Sequence, residues 1–313
     1  IKRRYLQYLR EAKGSDTATV DKAADAILRF ERSTGFKPFK KFHIEQAIKF
    51  KDKLSEAKSE KTGKPLSMAT VDGTLRTVKA FVIWLAGQTG YRNGISYGDA
   101  EYFNLNAKGV RIAHAERETP YPTMEQCRHA FAQMPSATPL QHRDKALFAL
   151  IMLTGARDGA VASFRLKHVD LLQGCVYQDA REVRTKFAKS FTTTFFPVDD
   201  EYLRCFREWV DFLRKDRLFG PGDALFPKPL MGLNDGGFAC IGLSRDNYGN
   251  AGKIREVIKT AFTDGGLPPF GPHSFRKTLG ILANEFCKTP QQYKAWSMNL
   301  GHENIATTLS AYC

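Results

Sequence analysis

No two cysteines in this 313-residue chain stand at C-x-x-C spacing. The six, Cys127, Cys175, Cys205, Cys240, Cys287 and Cys313, lie far apart. That argues against a zinc site or a disulfide framework and for reduced thiols in a cytoplasmic protein. Long apolar runs are lacking too. The longest, ALFALIML at 146–153, falls well short of the roughly 20 residues that cross a bilayer and reads as a buried helix segment. The opening IKRRYLQYLREAKG is interrupted by charge too often to be a signal peptide. The chain begins at Ile and stops abruptly at Cys313, so residues are expected to be missing at both ends. There is no convincing Walker loop, no G-x-G-x-x-G and no obvious carboxylate cluster, so no cofactor and no metal are expected. Internal repeats and low-complexity tracts are absent as well.

Negative charge is the scarcer sign. The chain carries 33 Asp and Glu against 47 Lys and Arg, a formal net charge of +14. The excess is spread: residues 1–107 hold 20 basic and 12 acidic side chains, and the remainder 27 and 21. Two basic halves suit a clamp around a nucleic-acid duplex better than a basic tail on a neutral enzyme, although a ribosomal or membrane-surface protein has a similar balance. Hydrophobic residues make up 42%, enough for a packed core rather than wholesale disorder.

Helical periodicity dominates the first hundred residues. TATVDKAADAILRFERSTG places Val20, Ala23, Ala24, Ile27, Leu28 and Phe30 on one face and stops at Gly35. HIEQAIKFKDKLSEAK repeats the pattern, and SMATVDGTLRTVKAFVIWLAGQTG starts at a Ser67 cap and ends near Gly87 or Gly90. The stretch NAKGVRIAHAERETPYPT has no helical period and two prolines, so 106–122 reads as a linker between a helical domain at 1–105 and a second domain at 123–313. Beyond it, TMEQCRHAFAQMP, LQHRDKALFALIMLTG, DEYLRCFREWVDFLRK, AGKIREVIKTAFTDGG and HSFRKTLGILANEFCK read as helices. GCVYQDAREVRTKFAKSFTTTFFPV, rich in Val, Tyr, Phe and Thr on both sides of KFAKS, reads as a β-hairpin with a basic bend. GPGDALFPKPLMGLNDGG reads as loop. The fold class is therefore mainly α with a small β-sheet (α+β).

Several side chains invite chemistry, and each has a plainer reading. Arg157, just past a helix stop, can aim five donors at an anion, but such an arginine is more often in a surface ion pair. Lys186 and Lys189 at the hairpin bend either protect an edge or ride a flexible finger to a reacting oxygen. His273 and Arg276, three apart, share a helix face, though a polar first turn would look the same. His302 is more often structural than catalytic, and Tyr312 more often a core residue with a wet tip.

Taken in order, TGARDGAVASFRLKHVD, TKFAKS…FFPV, HSFRKT and LGHENIATTLSAYC resemble the catalytic domain of the tyrosine recombinases, the phage-integrase family. The resemblance carries specific motifs over roughly 110–313; the first hundred residues resemble that family's helical core-binding domain in layout only. It implies that Arg157 and Arg276 are the family's two arginines, His273 the histidine of His-x-x-Arg, His302 the third-position His or Trp, and Tyr312 the nucleophile. The family lysine falls on the hairpin, where RTK favours Lys186 and spacing back from Pro197 favours Lys189. One departure stands out: the family's acidic residue three places after the first arginine is replaced by Ala160.

The chemistry has a physical rationale. Two guanidiniums and His302 would hold the non-bridging oxygens of a phosphodiester. Tyr312, with an ordinary pKa near 10, needs a cationic site and a base, for which His273 is placed, while a lysine protonates the leaving sugar oxygen. The implied activity is site-specific DNA strand transfer through a covalent 3′-phosphotyrosine, serving integration or excision of a mobile element. Implied partners are double-stranded DNA and further copies of the chain, as a tetramer on paired sites. No membrane is involved, the setting is cytoplasmic on the nucleoid, and there is room for accessory DNA-bending or directionality proteins. The competing readings are a type IB topoisomerase-like relaxation activity and a DNA-binding relative that has lost catalysis.

Overall fold

The computed structural model describes residues 1–60, 62–116, 118–185, 188–234 and 237–302. The chain divides into two compact units, Ile1–Glu118 and Thr119–Cys313.

The first unit is helical: α1 (Lys2–Glu11), α2 (Thr17–Ser33), α3 (Ile44–Glu56), α4 (Met68–Ala86) and α5 (Ala107–His114). Side-chain caps set four of the starts, and in α3 His43 Nδ1 accepts from the Glu45 N–H at 3.3 Å. Asp16 accepts from the Thr19 N–H at 2.7 Å, Ser67 from Thr70 at 3.2 Å and Asn106 from Gly109 at 2.7 Å. The apolar faces of α2, α3 and α4 meet around Ile27, Phe30, Phe50, Leu75 and Phe81, all at most 3% exposed. Phe30 packs edge-on against Phe50 and Phe103, with centroids 5.2 and 5.4 Å apart.

Helix α5 departs from the sequence reading, which took 106–122 as an unstructured linker. Eight residues give barely two turns, too few for a period to register, so the Asn106 cap and packing on α4 decide the matter. His114 completes the contact, its Nε2 lying 3.4 Å from Oδ2 of the nearly buried Asp72 of α4.

The second unit is built around α7 (Pro139–Thr154). ALFALIML is at most 2% exposed at every position, so the second half of this helix has no solvent face, while Pro139 to Lys145 reach the surface on one side. Around it stand α6 (Met124–Gln133), α8 (Asp158–Val161), α9 (Asp200–Asp211), α10 (Gly252–Asp264) and α11 (Pro272–Phe286), followed by α12 (Pro290–Asn299). Phe148 of α7 meets Phe275 of α11 edge-on at 5.0 Å and Phe262 of α10 at 5.7 Å. The cysteines serve packing here: burial pushes the Cys127 thiol up to about 12 and the Cys205 thiol to about 11.

The hairpin read from the sequence is present. Strands β1 (Val169–Asp170), β2 (Cys175–Gln178) and β3 (Phe191–Thr194) form an antiparallel sheet in that order, with Cys175 opposite Thr194 and Gln178 opposite Phe191. Residues 179–190, the finger of the sequence reading, lie between β2 and β3 in the chain. A second hairpin corrects the loop reading of 220–237: β4 (Pro229–Asn234) pairs with β5 (Gly237–Leu243). Its Gly- and Pro-rich letters look like a loop, yet Gly232 has a packing reason, because a Cβ there would stand 2.5 Å from Cδ1 of Ile241. This ribbon keeps Leu233 (81% exposed) and Phe238 (72%) at the surface. Helix α12 also escaped the sequence reading, although Thr289 and Gln292 form a capping box across Pro290.

Candidate active site

The last residue of α7 is followed by Gly155, whose left-handed φ of 58° caps the helix through its own N–H, donated to the Ile151 carbonyl at 2.8 Å. The position also demands closeness. A Cβ on Gly155 would lie 2.8 Å from Cδ2 of Leu300 and 3.1 Å from Cδ1 of Leu279. Gly155→Ala should therefore combine left-handed strain with overpacking and cost roughly 2–5 kcal/mol. A lowered urea midpoint is the expected measurement, and an unmoved midpoint would contradict this geometry.

Close approach at Gly155 brings α11 to the end of α7. Arg276, only 2% exposed, donates from Nη1 to the Gly155 carbonyl at 2.7 Å and from Nη2 to the Leu300 carbonyl at 2.5 Å. The same Nη2 lies 2.8 Å from Nε2 of His302. A guanidinium can only donate, so Nε2 accepts and the imidazole carries its proton on Nδ1. One buried fork thus joins α7, α11 and the turn after α12, and it fixes both the place and the tautomer of His302.

The turn carrying His302 is built just as tightly. The Gly301 N–H donates to the Met298 carbonyl at 2.7 Å and the His302 N–H to the Ser297 carbonyl at 3.1 Å. Gly301 has φ 73°, and a Cβ there would lie 2.7 Å from the ring of Phe191, the first residue of β3. The Gly-His pair of the sequence is therefore one unit: the glycine makes the turn and lets the sheet approach.

The other sequence candidates are placed as follows. Arg157 is the half-buried N-cap of α8, two residues past Gly155 and so within about 7 Å of it along the chain. Its neighbour Asp158 accepts from the Gly159 N–H at 2.8 Å and from Arg255 Nε at 2.5 Å. Ala160, where the family's acid would stand, is 1% exposed and belongs to the core. His273 is exposed on the first turn of α11, one turn before Arg276. Lys189 is half-buried near the end of the finger, two residues before β3. Lys186 and Tyr312 lie outside the described residues. Direct contact between sequence candidates is thus seen for Arg276 and His302, and the chain itself holds Arg157 near them.

Sequence reasoning missed Asn299, the last residue of α12. Its side-chain amide accepts from the Thr194 N–H at 2.7 Å and donates to the Thr194 carbonyl at 2.8 Å, as a neighbouring strand would. Its partners stand 105 residues away, so no local pattern announced it.

The first unit offers a separate feature. Lys37, Lys41, Lys49, Lys53 and His43 line an open groove of about 570 Å³ beside the start of α3. Such a lysine array suits a polyanion.

Residues 121–313 match the family model described as the phage integrase family. Among solved structures, a lambda integrase dimer bound to a COC′ core site superposes with a TM-score of 0.66 at 14% identity, covering 99% of this chain and 93% of that one. The XerH site-specific recombinase bound to a palindromic difH substrate, in a post-cleavage complex, gives 0.60 at 15% identity, covering 98% and 80%. The Tn1549 transposon integrase in complex with transposon right end DNA gives 0.59 at 17%, covering 100% and 94%. Among curated proteins none matches.

Proposed function

The chain belongs to the phage integrase family, and from that premise we propose that it is a site-specific DNA recombinase that cuts and rejoins strands through a 3′-phosphotyrosine. The observation that supports this most is the fork of Arg276 held on the Gly155 and Leu300 carbonyls and meeting His302 at 2.8 Å. A buried guanidinium fixed by neutral carbonyls, with an imidazole alongside and a second arginine at the adjoining helix start, is suited to an incoming phosphodiester.

In the proposed step, Tyr312 Oη attacks phosphorus and the bond to the 5′ oxygen breaks. The phenolic proton passes to His273. A finger lysine, Lys189 or Lys186, gives a proton to the leaving 5′ oxygen. Arg157, Arg276 and His302 carry the negative charge that grows on the non-bridging oxygens. The phosphotyrosine keeps the energy of the broken bond, so a 5′ hydroxyl from another strand reverses the attack and seals the new joint. The first unit is read as the core-binding domain, with its lysine groove on the phosphate backbone. The lambda and XerH proteins are described on DNA sites, the Tn1549 protein on transposon-end DNA. By analogy with these and with a lambda integrase tetramer bound to a Holliday junction, this chain would work as a tetramer on paired sites, in integration or excision of a mobile element.

The test is to incubate the protein with a pool of nicked duplexes, from which the cut fragment diffuses away. The expected product is a detergent-resistant protein–DNA adduct, mapped by peptide mass to the segment holding Tyr312. A pool that covers candidate sites and yields no adduct, or an adduct on another residue, would overturn the reading.

A further inference from the structure

We infer that Asn299 is a positioning residue that keys the lysine finger to the Arg276–His302 fork. The inference rests on the functional reading above. Two groups must reach one phosphate from different supports: the fork is tied internally to α7, α11 and the turn after α12, whereas the lysines ride on the loop between β2 and β3. Beside the apolar contact of Phe196 with Trp296, centroids 4.7 Å apart, a small polar seam fixes one support to the other.

Along that seam, Asn299 closes both backbone groups of Thr194 with its side-chain amide, at 2.7 and 2.8 Å. One residue earlier in β3, the Thr193 hydroxyl donates to the Asn299 carbonyl at 3.1 Å. That hydroxyl in turn accepts from Gln178 Nε2 of β2 at 3.0 Å. Gln178 is 4% exposed and Thr193 1%, so the relay runs from β2 through β3 into α12 with its inner bond shielded from water, while the Asn299 amide closes on Thr194 at the surface. The Phe191 ring seated on Gly301 closes the other end of the same seam. Asn299 therefore stands three residues before His302, while its partner strand begins two residues after Lys189.

Loss of this amide leaves the bonds of Arg276 to Gly155, Leu300 and His302 whole, because among the described residues none of these three involves the Asn299 side chain. It lets the finger drift relative to the phosphate. The damaged step is then protonation of the leaving oxygen, and that gives a signature which general destabilisation does not. A substrate whose scissile 5′ oxygen is replaced by sulfur leaves as a thiolate and needs little protonation.

Asn299→Ala is expected to slow adduct formation on the ordinary nicked duplex by about 10²-fold, the scale of a misplacement near 1 Å. On the 5′-phosphorothiolate duplex the loss should shrink to about threefold or less. Thr193→Val, which removes the hydroxyl of the relay at constant shape, should show the same substrate dependence more weakly, and it carries the test if Asn299→Ala does not fold. Equal losses on both substrates, or no loss on either, would overturn the assignment of Asn299. Failure of the wild-type protein to form an adduct with either substrate would instead overturn the functional reading beneath it.

Discussion

Tyr312→Phe is expected to bind duplex DNA within about twofold of the wild-type protein and to form no detectable covalent adduct, a loss of at least about 10⁴-fold, as befits removal of a nucleophile. Phenylalanine keeps the ring and its packing and deletes only the oxygen. Binding should survive because affinity for duplex DNA is spread over many phosphate contacts, and a chain of net charge +14 has cations to spare. The chemistry should not survive, because no other group on the ring can attack phosphorus. Mobility shift on intact duplex and detergent-resistant adduct on nicked duplex measure the two properties side by side. Adduct formation by Tyr312→Phe would move the nucleophile elsewhere.

Arg276→Lys is expected to lower the rate of adduct formation by about 10²–10³-fold, the typical cost of one preorganised donor to developing negative charge. Lysine is the informative choice. Alanine would leave the Gly155 and Leu300 carbonyls buried without their donor, at about 1–3 kcal/mol each, and so confuse folding with catalysis. Lysine keeps the charge but not the planar fork that serves both carbonyls and His302 together. His302 would lose the donor that fixes its tautomer, so the defect should lie in the chemical step, with DNA affinity within about threefold. A wild-type rate would reduce Arg276 to a structural tie between α11 and the end of α7.

Much of this fold was legible because most of its information is local. The period of α2 to α4, the Ser67 cap and the apolar block of α7 are short-range patterns, and they read directly as helices. The hairpin announced itself through β-branched and aromatic residues on both sides of a basic bend. Three elements did not: α5 is too short to show a period, the β4–β5 ribbon is written in glycine and proline, and α12 has few apolar residues to reveal its face. The site divides in the same way. Arg157, His273, Arg276 and His302 were read as residue types in a familiar order, whereas the meeting of Arg276 with His302 depends on close approach at Gly155 and Gly301. Asn299 was illegible, since its whole significance lies in a strand more than a hundred residues earlier in the chain.

The buried second half of α7 has a consequence for variation among descendants of this protein. Eight successive positions closed to any charge make the axle of the second unit nearly immutable, and Gly155 and Arg157 sit at its tip. On the proposed function, new target preferences would then arise on exposed turns, where substitutions cost little. If the chain works as proposed, such a lineage would change its address freely while its cutting edge stays the same.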